Sequence, residues 1–213
     1  MNIIIPGILE KNWEDTEAKI KLLSPFAEAL HVDVIDGKFA NNLTFLDPAP
    51  FAKYKDQFLL EVHLMVEEPI NYLKPFADAG FKRFLGHVEK MSNQEEFVAQ
   101  GQLLGEIGLA LDGPTGIDAI KVPYDDLDVV HFYVSEKVGF AGPPMIPQRL
   151  ERVKALREKT DIPIEVDGGV KDTTLKLARD AGATRFVATS FISNAEDPRK
   201  AYELLKKLAE NNY

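Results

Sequence analysis

The chain has no cysteine and only one tryptophan in 213 residues. Without thiols there can be no disulfide framework and no thiolate nucleophile, and any bound metal must be held by nitrogen and oxygen. Positive charge is also in short supply. There are 25 Lys and Arg against 34 Asp and Glu, for a net charge of −9. That balance argues against nucleic acid or an anionic membrane as partner, since phosphate polyanions would be repelled over most of the surface. It leaves room for a small phosphate ligand held by backbone amides. No apolar stretch approaches the length of a membrane span. The opening MNIIIPGILEKNW has neither a basic n-region nor a small-residue cleavage site, so a signal peptide is not expected. No GxGxxG follows the first apolar run, which weighs against a dinucleotide-binding sheet. With 45% hydrophobic and 28% charged residues, the composition is that of an ordinary globule, and a cytoplasmic enzyme is the expected class.

What the sequence does have is alternation. Short β-like runs occur at residues 2–6, 29–34, 58–64, 83–88, 106–111, 128–134, 162–167 and 185–190. They are almost continuously apolar, as expected for parallel strands covered by helices. Between them, WEDTEAKIKLLSPFAEA, PINYLKPFADAG, QEEFVAQGQLLG, PQRLERVKALREKT, DTTLKLARDAG and DPRKAYELLKKLAE show helical spacing of apolar residues. Gly80, Gly105 and Gly182 supply helix stop signals. The segments after the second and fifth strands are weaker, broken by Pro48, Pro50 and Pro123. Eight strands with interleaved helices and no linker predict an α/β fold, a single (β/α)8 TIM barrel spanning residues 1–213, with an open doubly wound sheet as the alternative.

Four side chains stand out at strand ends: His31 and Asp33 in ALHVDVIDG, His63 in FLLEVHLMV and Asp167 in IPIEVDGGV. Alternate residues of a strand share a face, so His31 and Asp33 point the same way. Barrel active sites lie at the carboxyl ends of the strands, where these residues sit. Two nitrogen and two oxygen donors suit one divalent ion of the zinc, iron, manganese or cobalt type. The loops after strands six to eight carry Gly139-Phe140-Ala141-Gly142, Gly168-Gly169 and Thr189-Ser190. Glycines allow close backbone approach and the hydroxyl of Ser190 adds a donor, a pattern that predicts phosphate binding. Other polar residues have blander expectations. His131 is expected to be a core histidine, Asp36 to form a turn or support the site, and Asp125-Asp126 to be solvated surface. His87-x-Glu89 imitates a second metal pair.

In order and spacing, HVDVIDGKFANNLTF, EVHLMVEEP, GHVEK, GLAL, VGFAG and IEVDGGV resemble the segments of the ribulose-phosphate 3-epimerase family over nearly the whole chain. The resemblance implies a barrel of the ribulose-phosphate-binding type and an isomerase of carbohydrate metabolism, in the pentose phosphate pathway. It would bind one divalent metal and invert C3 of D-ribulose 5-phosphate to give D-xylulose 5-phosphate. It assigns the metal to His31, Asp33, His63 and Asp167, and the acid/base roles to Asp33 and Asp167, through a metal-stabilised enediolate. Two such groups are wanted because one base cannot easily reach both faces of a carbon. Met65 resembles a methionine lining that family's pocket.

The departures cluster around the sugar. The family's Pro-Ser at the end of the first strand is Pro6-Gly7 here, which loses a hydroxyl donor. Lys38, Val138 and Pro143 replace the usual residues of two mouth loops, and Ile35 and Val134 replace methionines. These changes keep open epimerisation of another ketose phosphate such as D-allulose 6-phosphate, or a non-catalytic sugar-phosphate-binding barrel. The decarboxylases and aldol enzymes of related barrels place DxKxxD on a strand. Here Ile35 stands where the lysine belongs. Exposed apolar positions on the helices predict a homo-oligomer.

Overall fold

A computed structural model describes residues 2–210. Eight parallel strands close into a barrel in sequence order: β1 (Ile3–Ile8), β2 (Ala29–Ile35), β3 (Leu59–Met65), β4 (Arg83–His87), β5 (Glu106–Leu111), β6 (Val129–Tyr133), β7 (Ile164–Asp167) and β8 (Arg185–Ala188). Outside them lie α1 (Trp13–Leu23), α2 (Ile70–Asp78), α3 (Gln94–Gln102), α4 (Glu151–Arg157), α5 (Leu175–Asp180), the single turn α6 (Ser190–Ser193) and α7 (Pro198–Glu210). The proline-broken segments after β2 and β5 form only short 3-10 turns, at Ala49–Tyr54, Ile117–Ala119 and Tyr124–Asp126.

Helix and strand ends follow local chemistry. The Asn12 side chain caps α1 by accepting the Asp15 amide proton at 2.9 Å. The helix stops at Leu23 rather than running on to residue 29, because Pro25 lacks the N–H that would continue the backbone ladder. β8 ends at Ala188, two residues earlier than the apolar run predicts, because Thr189 leaves extended backbone with φ −95° and ψ −79°.

Strand alternation divides the interior in two. One face of the sheet (Leu30, Val32 and Val34 on β2; Leu60, Val62 and Leu64 on β3; Val130 and Phe132 on β6; Val166 on β7) packs outward into the helix layer, in the main apolar core. The other face fills the lumen and is rich in polar groups. His31, Asp33, Glu61, His63, Arg83, His87, His131, Glu165, Asp167 and Arg185 are all buried. The near-continuous apolar runs thus hide a second pattern: the residues between the valines are charged. At the amino-terminal end of the lumen, Arg83 donates to Glu61 Oε2 at 2.6 Å and to Glu106 Oε2 at 2.7 Å. Arg185 lies 3.3 Å from Glu106. These pairs offset the cost of burying charge below the site.

Candidate active site

The register of the sheet delivers the site. Asp33 on β2 lies directly beside His63 on β3, and His31 beside Glu61. Asp167 on β7 lies beside Tyr133 on β6. Asp33 is fixed from behind, where the Thr44 hydroxyl donates to its carbonyl at 2.8 Å and accepts the Ile35 amide proton at 2.9 Å.

The hydrogen bonds settle how the first histidine is presented. His31 Nδ1 lies 2.5 Å from Glu61 Oε1. Burial alone would raise the Glu61 pKa, but His31 and Arg83 outweigh it and hold it below the usual carboxylate range. An ionised carboxylate only accepts, so Nδ1 carries the proton in the neutral ring and Nε2 keeps a lone pair. That Nε2 is buried and has no hydrogen-bond partner. It sits 3.3 Å from Asp33 Oδ1, which is also 2.9 Å from His63 Nδ1. One donor atom each from His31, Asp33, His63 and Asp167 falls within 4.8 Å of the others. An orphaned imidazole nitrogen facing two carboxylates is what a divalent cation would satisfy, and the N2O2 donor set fits such an ion.

The two aspartates have opposite tendencies. Burial raises the pKa of Asp33, but the neighbouring imidazoles of His31 and His63 outweigh this and hold it low. Burial and the facing charge of Asp33 push Asp167 up to about 8. Glu165, below it, is also pushed up to about 8, by burial and then by Glu61. In the metal-free site one carboxyl is thus held low and the other raised, the asymmetry of a base set against an acid.

The glycine-bearing loops join this set. Met65, Gly139, Phe140, Ala141, Gly142, Gly168, Gly169, Thr189 and Ser190 line one pocket with Asp33 and Asp167. Gly168 and Gly169 have φ of +104° and +70°. A Cβ on Gly168 would come within 2.6 Å of Ser135 Cβ, so the chain here needs glycine both for its dihedrals and for its close approach. The loop after β6 is tied down by Asn42, which donates to the Gly139 carbonyl at 2.8 Å, and by the Tyr133 hydroxyl, which donates to Lys137 O at 2.7 Å. Gly7 lies behind the pocket wall, and the space a side chain would need there is taken by Thr189 Oγ1. Ile35, Ala40 and Met65 form a separate small apolar cluster with Leu9, Phe39 and Val138 packed on it. Two residues that depart from the family pattern, Ile35 and Val138, thus pack together.

Three other sequence readings find their places. Asp36 accepts the Lys38 amide proton at 2.8 Å and the Glu67 amide proton at 2.9 Å, so it forms its turn and also ties the β2 loop to the end of β3. His131 is buried as expected, with Nδ1 2.8 Å from Glu165, but its Nε2 is unpartnered. His87 and Glu89 fall outside the converging donor sets found among the described residues. Sequence reasoning missed Glu61, Glu165 and Tyr133. The signal for the two glutamates was present, because HVD, EVH and EVD repeat one polar-valine-polar pattern on β2, β3 and β7.

Fold and site together define a class: a closed (β/α)8 barrel with a buried two-histidine, two-aspartate set, able to hold one metal ion, at the catalytic end. Known proteins narrow it. The Ribulose-phosphate 3 epimerase family description matches residues 3–193. The cytoplasmic isoform of ribulose-phosphate 3-epimerase from Oryza sativa subsp. japonica is 32% identical over 216 residues, covering 98% of this chain and 95% of that protein. Ribulose-phosphate 3-epimerase from Bacillus subtilis (strain 168) is 32% identical over 211 residues, covering 93% and 95%. Among solved structures, a 3-keto-L-gulonate-6-phosphate decarboxylase from Vibrio cholerae superposes with a TM-score of 0.74 at 15% identity, covering 98% of this chain and 97% of that one. At that identity the likeness is one of fold alone. This chain belongs to the ribulose-phosphate 3-epimerase family.

Proposed function

We propose that the chain is a metal-dependent ribulose-phosphate 3-epimerase, an isomerase that interconverts D-ribulose 5-phosphate and D-xylulose 5-phosphate. The observation that supports this most is the convergence of Asp33 from β2 and Asp167 from β7 with His31 and His63, one donor atom of each within 4.8 Å of the others, beside an unpartnered buried imidazole nitrogen. Epimerisation beside a ketone removes the C3 proton on one face and returns a proton on the other. Asp33 is the base for the first transfer and Asp167 the acid for the second, with the roles exchanged in the reverse direction. His31, His63, Asp33 and Asp167 would hold one divalent ion (zinc, iron, manganese or cobalt), which would supply Lewis-acid stabilisation of the negative charge that develops as the C3 proton leaves. Glu61 fixes the tautomer of His31, as carboxylates do for ligating histidines.

The phosphate falls to the glycine loops and to Thr189 and Ser190 beyond β8, the end of a barrel where phosphates are commonly held. The apolar cluster of Ile35, Ala40 and Met65 with Leu9, Phe39 and Val138 screens the mouth from water, which protects the enediolate. In this reading residues 1–213 act as a single domain, in the cytoplasm and as a homo-oligomer. Gly7, Lys38, Val138 and Pro143 depart from the family pattern, so activity on D-allulose 6-phosphate is the comparison to make. The test is to purify the protein, measure its metal by elemental analysis and assay xylulose 5-phosphate formation before and after chelation. Turnover should vanish with the metal and return when it is restored. Undiminished turnover in metal-free protein would refute the reading.

A further inference from the structure

His87 and Glu89 are tied to the candidate metal set without belonging to it. His87 is fully buried at the end of β4. Its Nε2 lies 2.8 Å from Nε2 of His63, and its Nδ1 lies 3.0 Å from Glu89 Oε2. Phe39 covers the ring at a centroid distance of 4.4 Å, and the His63 ring meets it edge to edge with centroids 4.9 Å apart. Glu89 is itself anchored, because its Oε1 accepts the Asp112 amide proton at 2.7 Å.

This chain of contacts dictates where protons sit. The Glu89 carboxylate only accepts, so His87 carries its proton on Nδ1. With that proton on Nδ1, His87 offers a lone pair at Nε2, and His63 donates its Nε2–H to it. That leaves the His63 Nδ1 lone pair turned toward Asp33 Oδ1, 2.9 Å away. Two lone pairs at that distance repel unless a cation stands before them. Glu61 treats His31 in the same way through a single bond. His63 has no carboxylate of its own at Nε2, and a second imidazole transmits the preference instead.

We propose that Glu89 and His87 form a relay that fixes the tautomer of His63, so that it meets the metal through Nδ1. Both are positioning residues rather than ligands. The inference rests on the metal-site reading above. Removing a partner of this kind typically weakens metal binding about 10- to 100-fold.

The test uses the full-length protein. Histidine 15N NMR of the zinc-loaded wild type should show His63 coordinated through Nδ1, protonated at Nε2 and coupled to His87. Cobalt(II) affinity, read by competition with a chromophoric chelator, should fall about 10- to 100-fold in His87→Leu. In His87→Gln, whose side-chain carbonyl can accept from His63 Nε2–H, it should recover to within about threefold. A wild-type spectrum with His63 coordinated through Nε2 overturns the relay, whether or not the variants fold. So does a folded His87→Leu protein that binds cobalt as the wild type does. A wild type that binds neither ion overturns the metal site itself, a different failure from a site that binds and ignores His87.

Discussion

At the scale of single residues, the site is a set of protonation states that the fold holds apart. Asp167 and Glu165 are pushed up to about 8, and in the metal-free fold His31 is also raised, because burial is outweighed by the neighbouring carboxylates of Asp33 and Glu61, so its Nε2 holds a proton that a bound cation would displace. His63 and His131 are lowered, chiefly by burial. The sign for stability follows. Above pH 6.5 an unfolded chain has released the protons that Asp167, Glu165 and His31 still hold in the fold, so stability should fall as pH rises from about 6.5 to about 8, at about 1.4 kcal/mol per pH unit for each proton retained. Below 6.5, the unfolded chain protonates the two histidines that the fold keeps neutral, which opposes that trend. Urea titrations of metal-free protein across this range check the prediction. A divalent ion should flatten the slope by taking the place of the protons. A slope that is flat without metal would show that the carboxyl groups are not perturbed as described. Asp167→Asn tests the acid itself. It should lower turnover by at least about 10²-fold while leaving circular dichroism unchanged, and near wild-type turnover would remove Asp167 from the chemistry.

At the scale of elements, strand register decides which residues meet. Pro6 lies beside Ala188 across the β1–β8 seam, which brings Gly7 up against Thr189 just beyond it. The hydroxyl that Gly7 lacks is thus replaced in space by that of Thr189. Gly7→Ser should therefore cost about 1–3 kcal/mol through overpacking, and adding Thr189→Gly should recover most of that loss. Thermal melts of the single and double variants measure the coupling, and additive effects would contradict it. Most of this level was legible in the sequence. The eight strands, the helices and the convergence of His31, Asp33, His63 and Asp167 follow from apolar runs and period-two alternation. Glu61 and Glu165 obey the same alternation, but they sit inside what reads as an apolar run, two residues before the more conspicuous His63 and Asp167. The relay through His87 was not legible, because it depends on distances between side chains of β3 and β4 that no spacing within either strand encodes. The start of β7 and the end of β8 fall two residues inside the expected runs, where Pro163 has no N–H to donate and Thr189 turns out of extended backbone, and β1 runs two residues beyond its expected end.

At the scale of the whole molecule, closure of the sheet between β1 and β8 turns separate strand ends into one mouth. A buried lumen with this many ionisable groups is stable only where charges are paired. The arginine–glutamate layer does this at one end, and among the described residues neither Asp33 nor Asp167 pairs with lysine or arginine at the other. A divalent ion binding the folded state alone should stabilise it by about 2.7 kcal/mol at a free concentration a hundred times its Kd, raising Tm by roughly 5–10 °C for a chain of this size. Calorimetry with and without metal checks this, and an unchanged Tm would place the ion elsewhere. Binding, however, does not by itself establish turnover. Proton transfer does, and it leaves a mark on carbon. D-Ribulose 5-phosphate incubated with metal-loaded protein in heavy water should acquire deuterium at C3 as D-xylulose 5-phosphate accumulates, and proton NMR would follow both. Ketose that stays protonated at C3 and unepimerised, with metal demonstrably bound, would contradict the assignment.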